Sequence, residues 1–336
     1  MRSTPKTLNT LGFLALLLAG ALSLQDHPAA AREMGAGEHR YAWVEDWMQL
    51  PEGMQLGNTH GCIVVDSEDR VYLNTDGEHA VVVFAPDGTY IKSWGKELKG
   101  GLHGMQLVKE GEREVIYMAH IGLHEVLKTD LDGNVLMRIG WPEEAGIYEN
   151  AQQYRPTSVV VARSGELFVA DGYGLSWIHR FSQSGEYIAS FGGPGSEAGQ
   201  LRTPHGLLMD QRKPSHSLLV ADRENHRLQS FDLTGEALGI VEGMLRRPCH
   251  ANTNGKDLVV ADLAGRVTIL NEKGELVTHL GDNPNPELRA QNQVDPALWK
   301  AGEFISPHCA NWDSKGDLYV TDWVSSGRIS KLRRLK

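Results

Sequence analysis

Four histidines hold the same place in a phrase that recurs six times along the 336-residue chain: His60, His103, His205 and His308. In the other two copies that place is taken by Thr157 and Cys249. An imidazole kept at one position of an otherwise variable repeat points to metal ligation. His103, His205 and His308 are also evenly spaced, 102 and 103 residues apart, or two repeat lengths each time. Three imidazoles leave a fourth coordination position for water or substrate, the pattern of a catalytic rather than a structural zinc site.

The elements that must position these residues are short strands. The clearest copies span residues 155–192, 203–241 and 247–281, with weaker ones at 57–95, 102–140 and 306–336. Each good copy has a first strand after a Pro and a second ending in Ala-Asp, at Asp171, Asp222 and Asp262. A third strand, a Gly-Glu turn and a fourth strand follow. Apolar, β-branched runs between Gly, Asp and Asn turns mark strands and hairpins. Repeats of this length with four strands each predict an all-β, six-bladed propeller over residues 40–336. The last copy stops after its third strand, and Tyr41–Trp47 is the candidate N-terminal strand that closes the blade. The recurring Asp171, Asp222, Asp262 and Asp322 read as turn-capping structure.

In a six-bladed ring the first strands line the channel, and every second blade is about 120° apart. His103, His205 and His308 of blades 2, 4 and 6 then face one axial point. The complementary set, His60, Thr157 and Cys249, is a far poorer ligand group, which leaves His60 as an extra channel residue and a candidate proton carrier. His120 replaces the recurring Asp in blade 2, and the sequence assigns it to the cavity. The long segments 141–154 and 282–305 are candidate lids.

Net charge is −10, with no basic patch beyond residues 331–336, so nucleic acid is excluded as a partner. Residues 1–31 read as a secretory leader: Arg2 and Lys6, an apolar stretch from Leu11 to Leu24, and Ala29-Ala30-Ala31. That stretch is short for a membrane span, so an exported protein, periplasmic or secreted, is expected. Cys62, Cys249 and Cys309 are an odd number for such a protein, leaving at least one thiol unpaired. Ring closure would bring them from neighbouring blades. A disulfide at the channel wall and small buried residues at strand starts are both open.

The run FGGPGSEAGQLRTPHG from Phe191 to Gly206, followed by Val-Ala-Asp222-Arg-Glu-Asn225, resembles the NHL repeat. More narrowly, His103, Tyr173, His205, Arg223 and His308 together resemble the catalytic core of the peptidylglycine alpha-amidating lyases (peptidylamidoglycolate lyases). The resemblance covers about residues 40–336. It implies zinc on the three histidines, Tyr173 as general base and Arg223 as the holder of a substrate carboxylate. The implied reaction cleaves a peptidyl alpha-hydroxyglycine to the peptide amide and glyoxylate.

The chain departs from that pattern at several points. The family has an Asp directly after its third zinc histidine, where it binds calcium; here Cys309 stands there, which speaks against calcium. The family's first-blade active-site Arg has no counterpart in Leu73–His79. Gly174 replaces the Cys after the family's Tyr. The expected partner is a small-molecule or peptide-derived substrate, and these changes favour a related lyase on another small carbinolamide or hydroxy-acid substrate over true peptide amidation. Two other functions fit the same repeats: a non-catalytic propeller binding a protein, peptide or glycan, and a metal-dependent hydrolase or lactonase. The binding reading predicts that His103, His205 and His308 do not converge.

Overall fold

A computed structural model describes residue 1, residues 32–212 and residues 215–336. The chain divides into Met1–Ala31 and Arg32–Lys336. The leader expected over residues 1–31 lies outside the described residues. Among those described, no helix is long and apolar enough to cross a membrane.

Residues 32–336 form six antiparallel sheets arranged as a propeller. Blade 1 occupies residues 63–94, blade 2 residues 102–139, blade 3 residues 158–192, blade 4 residues 204–241 and blade 5 residues 248–280. Blade 6 joins both ends of the chain. Its C-terminal strands Pro307–Trp312, Leu318–Asp322 and Arg328–Arg334 are completed by His39–Val44, which pairs antiparallel with the last of them from Tyr41↔Arg334 to Val44↔Lys331. The expected closure holds. Trp312 Nε1 donates to Tyr41 Oη at 3.0 Å across it. A further strand, Glu33–Ala36, pairs outside His39–Val44 and makes this sheet five-stranded. Its sequence EMGA has neither β-branched residues nor alternation, and it is mostly exposed. Ladder pairing alone makes it a strand.

Burial follows position within the blade. The inner strands of neighbouring blades pack side by side around the axis. Second strands are apolar on both faces because each blade is sandwiched between two others, so Leu167–Ala170 and Val71–Asn74 are buried throughout. Fourth strands form the rim, and four of the five residues of Ala237–Val241 are exposed. Among the described residues the only helices are six single 3-10 turns.

The recurring aspartates are structural. Asp262 accepts hydrogen bonds from the backbone N–H groups of Arg246 and Arg247 at 2.7 and 2.6 Å. Asp322 accepts from Ile305 and Ser306 at 2.8 and 2.6 Å. Asp171 accepts from Arg155 and Leu175 at 2.7 and 2.6 Å. Each carboxylate ties the loop that enters its own blade to the end of that blade's second strand.

The sequence placed His120 in the cavity, but the structure puts it with these aspartates. It is buried, its Nε2 lies 3.1 Å from Leu98 O, and its Nδ1 accepts from Leu123 N–H at 3.1 Å. Both ring nitrogens are committed to backbone, so the side chain does the aspartate's work in blade 2 with a different residue.

Candidate metal centre and its surroundings

His103, His205 and His308 sit near the starts of the inner strands Leu102–Glu110, Pro204–Asp210 and Pro307–Trp312. In each strand the pairing register shifts at the histidine. Pro204 pairs with Asp222 and Gly206 with Ala221, leaving His205 unpaired; the same happens between Pro307 and Cys309, and between Leu102 and Met105. These are β-bulges, which bend the strand and re-aim a side chain. Here they turn the imidazoles into the channel.

The glycines after two of these histidines let the strands close up. A Cβ on Gly206 would meet Cys249 O at 2.3 Å, and one on Gly104 would meet Thr157 O at 2.5 Å. The His-Gly pair of the repeat is thus one device: the bulge aims the ring, and the glycine admits the neighbouring blade's backbone.

Those neighbouring carbonyls hold the rings. His103 Nδ1 lies 2.6 Å from Thr157 O, His205 Nδ1 3.1 Å from Cys249 O, and His308 Nδ1 2.9 Å from Gly61 O. A carbonyl only accepts, so each Nδ1 carries the proton and each Nε2 presents its lone pair. Ring centroids are 4.6, 4.7 and 4.8 Å apart, with planes inclined by 72–83°. Burial holds all three pKa values well below the usual imidazole range, and neighbouring positive charge adds to the effect. Nε2 of His103 and Nε2 of His308 are buried without a hydrogen-bond partner. An unpartnered buried polar atom is costly, and ligand atoms of His103 and His308 lie with one of His60 within 4.8 Å of one another, which fits a bound cation. The three rings converge, where a purely binding propeller gives no reason for them to meet.

Tyr173 caps this group. Its hydroxyl lies 2.8 Å from His205 Nε2, 3.2 Å from His60 Nε2 and 3.3 Å from Arg223 Nη1. Burial pushes the phenol up to about 12, with Arg223 pulling the other way. Arg223 stands at the end of the second strand of blade 4, its guanidinium 5.4 Å over the Tyr173 ring and its Nε 2.9 Å from Glu224 Oε1. It therefore has both an ion pair with Glu224 and a contact with the site.

His60 packs against His103, His308, Tyr173 and Trp323 at centroid distances of 5.0, 5.2, 5.9 and 5.6 Å. Burial, then the charges of Arg223 and Arg155, lower its pKa to about 4. Asp76, 3.9 Å from its Nδ1, is too distant to hold a proton there.

Sequence reasoning assigned no role to Arg155 or His250 and counted Cys249 only as a poor ligand of the complementary set. Arg155 is exposed at the start of blade 3, and its charge acts on both His60 and Tyr173. Cys249 is a free, fully buried thiol whose sulfur groups with His205 and His308, all donor atoms within 4.8 Å of one another. His250, the next residue, groups in the same way with Cys62 and Cys309, which form a disulfide. A bulge between Pro248 and His250 separates these neighbours, and strand periodicity gives no sign of it. Cys309 lines the same cavity as the three histidines.

No family model matches the chain. A Caenorhabditis elegans protein named a peptidyl-alpha-hydroxyglycine alpha-amidating lyase is 28% identical over 270 residues, covering 78% of this chain and 72% of the worm protein. The rat peptidylglycine alpha-amidating monooxygenase is 34% identical over 163 residues, covering 46% of this chain but only 16% of the rat protein. Among solved structures, virginiamycin B lyase from Staphylococcus aureus superposes with a TM-score of 0.57 at 12% identity, covering 84% of this chain and 97% of that one; the likeness is one of fold. The chain is a six-bladed β-propeller that resembles the alpha-amidating lyases in sequence across most of its length.

Proposed function

We propose that this protein is a zinc-dependent carbon–nitrogen lyase that splits an alpha-hydroxyglycine-type carbinolamide into an amide and glyoxylate. The observation that carries the reading is the pair of buried, unpartnered Nε2 atoms of His103 and His308 beside His205. His103, His205 and His308 would hold the ion, with Nδ1 of each fixed by a carbonyl of the next blade. Such second-shell contacts set the tautomer and the ring orientation. Zinc held there would supply Lewis acidity to an oxygen of the substrate. Calcium does not fit: it takes oxygen ligands, and the channel lining around Cys309 is sulfur and imidazole with no carboxylate.

The remaining chemistry belongs to the chain. Arg223 and Arg155 offer two guanidinium groups to the substrate carboxylate, and Arg155 supplies the second positive charge that blade 1 lacks. Tyr173, deprotonated, takes the proton of the substrate hydroxyl at its own oxygen. A cation beside the phenol and the charge of Arg223 both favour that deprotonated form. As the C–N bond breaks, the hydroxyl carbon becomes the aldehyde of glyoxylate and the departing amide nitrogen takes up a proton. His60, 3.2 Å from the phenol, relays protons to it in this reading. We further propose export by the leader at residues 1–31; the Cys62–Cys309 disulfide suits an oxidising compartment.

The test is metal analysis and glyoxylate release on the purified protein beside a His205→Ala variant. The expected result is one zinc per chain and glyoxylate from an alpha-hydroxyglycine compound, both lost in the variant. Stoichiometric zinc retained in the variant would overturn the assignment of the site. Zinc bound without glyoxylate release would favour the hydrolase reading.

A further inference from the structure

The channel has a second lining beyond the three histidines. One narrow cavity is bordered by His103, His205 and His308 and also by Cys62, His250 and Cys309. Cys62 and Cys309 lie on neighbouring blades, with Cα atoms 5.0 Å apart across their disulfide and 247 residues between them in sequence. His250 Nδ1 is 3.3 Å from Cys309 Sγ, and the three donor atoms all lie within 4.8 Å of one another. Ile63 N–H donates to Cys309 Sγ at 3.2 Å. The two cysteines are 2% and 0% exposed and His250 is 8% exposed.

Two sulfurs and an imidazole form a soft donor set, which selects Zn²⁺ or Cu⁺ over calcium or magnesium. Three protein ligands leave a fourth position for solvent in a tetrahedral site. The backbone N–H on Cys309 Sγ stabilises thiolate character and fixes the sulfur's orientation. None of these groups is used by the proposed lyase chemistry.

We propose that Cys62, Cys309 and His250 form a second metal site, selective for a thiophilic cation and opened by reduction of the disulfide. A dithiol reductant supplies two electrons and two protons to the S–S bond and leaves as its own cyclic disulfide. The cation then displaces the two thiol protons to solvent and takes the lone pair of His250 Nδ1, whose ring proton rests on Nε2. In the oxidised chain both sulfurs are committed to each other and the site is closed.

The experiment uses the full chain with Co²⁺ as the probe. Cobalt per chain and the near-ultraviolet thiolate-to-cobalt charge-transfer absorption are measured on the oxidised protein, and again after treatment with a dithiol and removal of the reductant under anaerobic conditions. Reduction is expected to add one cobalt per chain together with the absorption. His250→Ala, which keeps the disulfide for folding, and Cys62→Ser should each lose that added cobalt while keeping the first equivalent. His205→Ala should lower the count in both redox states and leave the increment on reduction unchanged, so failure of the three-histidine assignment reads separately. An increment absent on reduction, or one that survives in Cys62→Ser, overturns the proposal.

Discussion

Two positions recur around this propeller, and they have opposite fates. One opens the inner strand and carries His60, His103, Thr157, His205, Cys249 and His308. The other closes the second strand and carries Asp171, Asp222, Asp262 and Asp322, with His120 in blade 2. At the second position the ring nitrogens and carboxylate oxygens described above are bound to backbone groups of the loops they tie down. At the first, bulges turn the side chains off the ladder, and the Nε2 atoms of His103 and His308 have no partner. Recurrence by itself therefore separates nothing. The ring tied to loop backbone is the frame, and the ring that holds two unpartnered Nε2 atoms is where a ligand has somewhere to bind. The first position also divides by parity: carbonyls of Gly61, Thr157 and Cys249 in blades 1, 3 and 5 hold the imidazoles of blades 6, 2 and 4.

The contrast is broken most directly at His308. Replacing it by Ala removes one ring of the three and is expected to lower metal affinity by more than about 100-fold, since loss of a second-shell partner alone costs about 10–100-fold. Glyoxylate release should vanish, while circular dichroism should stay that of the parent propeller. A variant that unfolds instead would move the first position into the frame. Tyr173→Phe should come next, with kcat falling by about 10²–10⁴-fold, the range for a lost general base, and with bound metal unchanged. Equal loss of metal in that variant would make Tyr173 a prop for His205 rather than a base. Asp262→Ala should invert the pattern. It strands the N–H groups of Arg246 and Arg247, at about 1–3 kcal/mol each when buried without a partner. The melting temperature should drop, while activity per folded molecule is retained. A specific loss of activity at unchanged stability would show that the second position is more than frame.

The frame was largely legible in the sequence because its signals are local. Val-Ala-Asp strand ends, Gly-Glu turns and the truncated last repeat predict six blades and a shared closing blade without reference to distant residues. The histidine trio was legible for a related reason: two-repeat spacing becomes threefold placement once the ring closes. What escaped depends on bulges or on closure itself. His120 looked functional because it interrupts a row of aspartates, yet an imidazole can bridge a carbonyl and an N–H as a carboxylate bridges two N–H groups. The pairing of Cys62 with Cys309 follows only when blade 1 meets blade 6. Cys249 and His250 are adjacent, but a bulge gives one to the histidine group and the other to the disulfide. Glu33–Ala36 is a strand only because a partner edge was free.

The smallest expected effect sharpens the contrast from within the frame, because satisfied groups still titrate. Asp171 accepts from two backbone N–H groups and from Tyr148 Oη at 2.7 Å, yet burial outweighs these bonds and raises its pKa to about 6. The folded state therefore holds this proton more tightly than the unfolded chain, where the group titrates near 3.8. Its contribution to stability is complete below that value and is lost as pH rises toward 6, with little change above. A tenfold difference in proton affinity is worth about 1.4 kcal/mol, so the loss comes to roughly 2–3 kcal/mol across the interval. His120 runs the other way: burial lowers its pKa, so its contribution is complete above the ordinary histidine range and is lost as pH falls. Asp171→Asn should therefore flatten melting temperature against pH between about 4 and 6, whatever it does to stability overall, and should leave the acid limb set by the histidines in place. An unchanged slope in that variant would mean that the carboxylate stays ionised in the fold, and that its two N–H groups, not its burial, decide its charge.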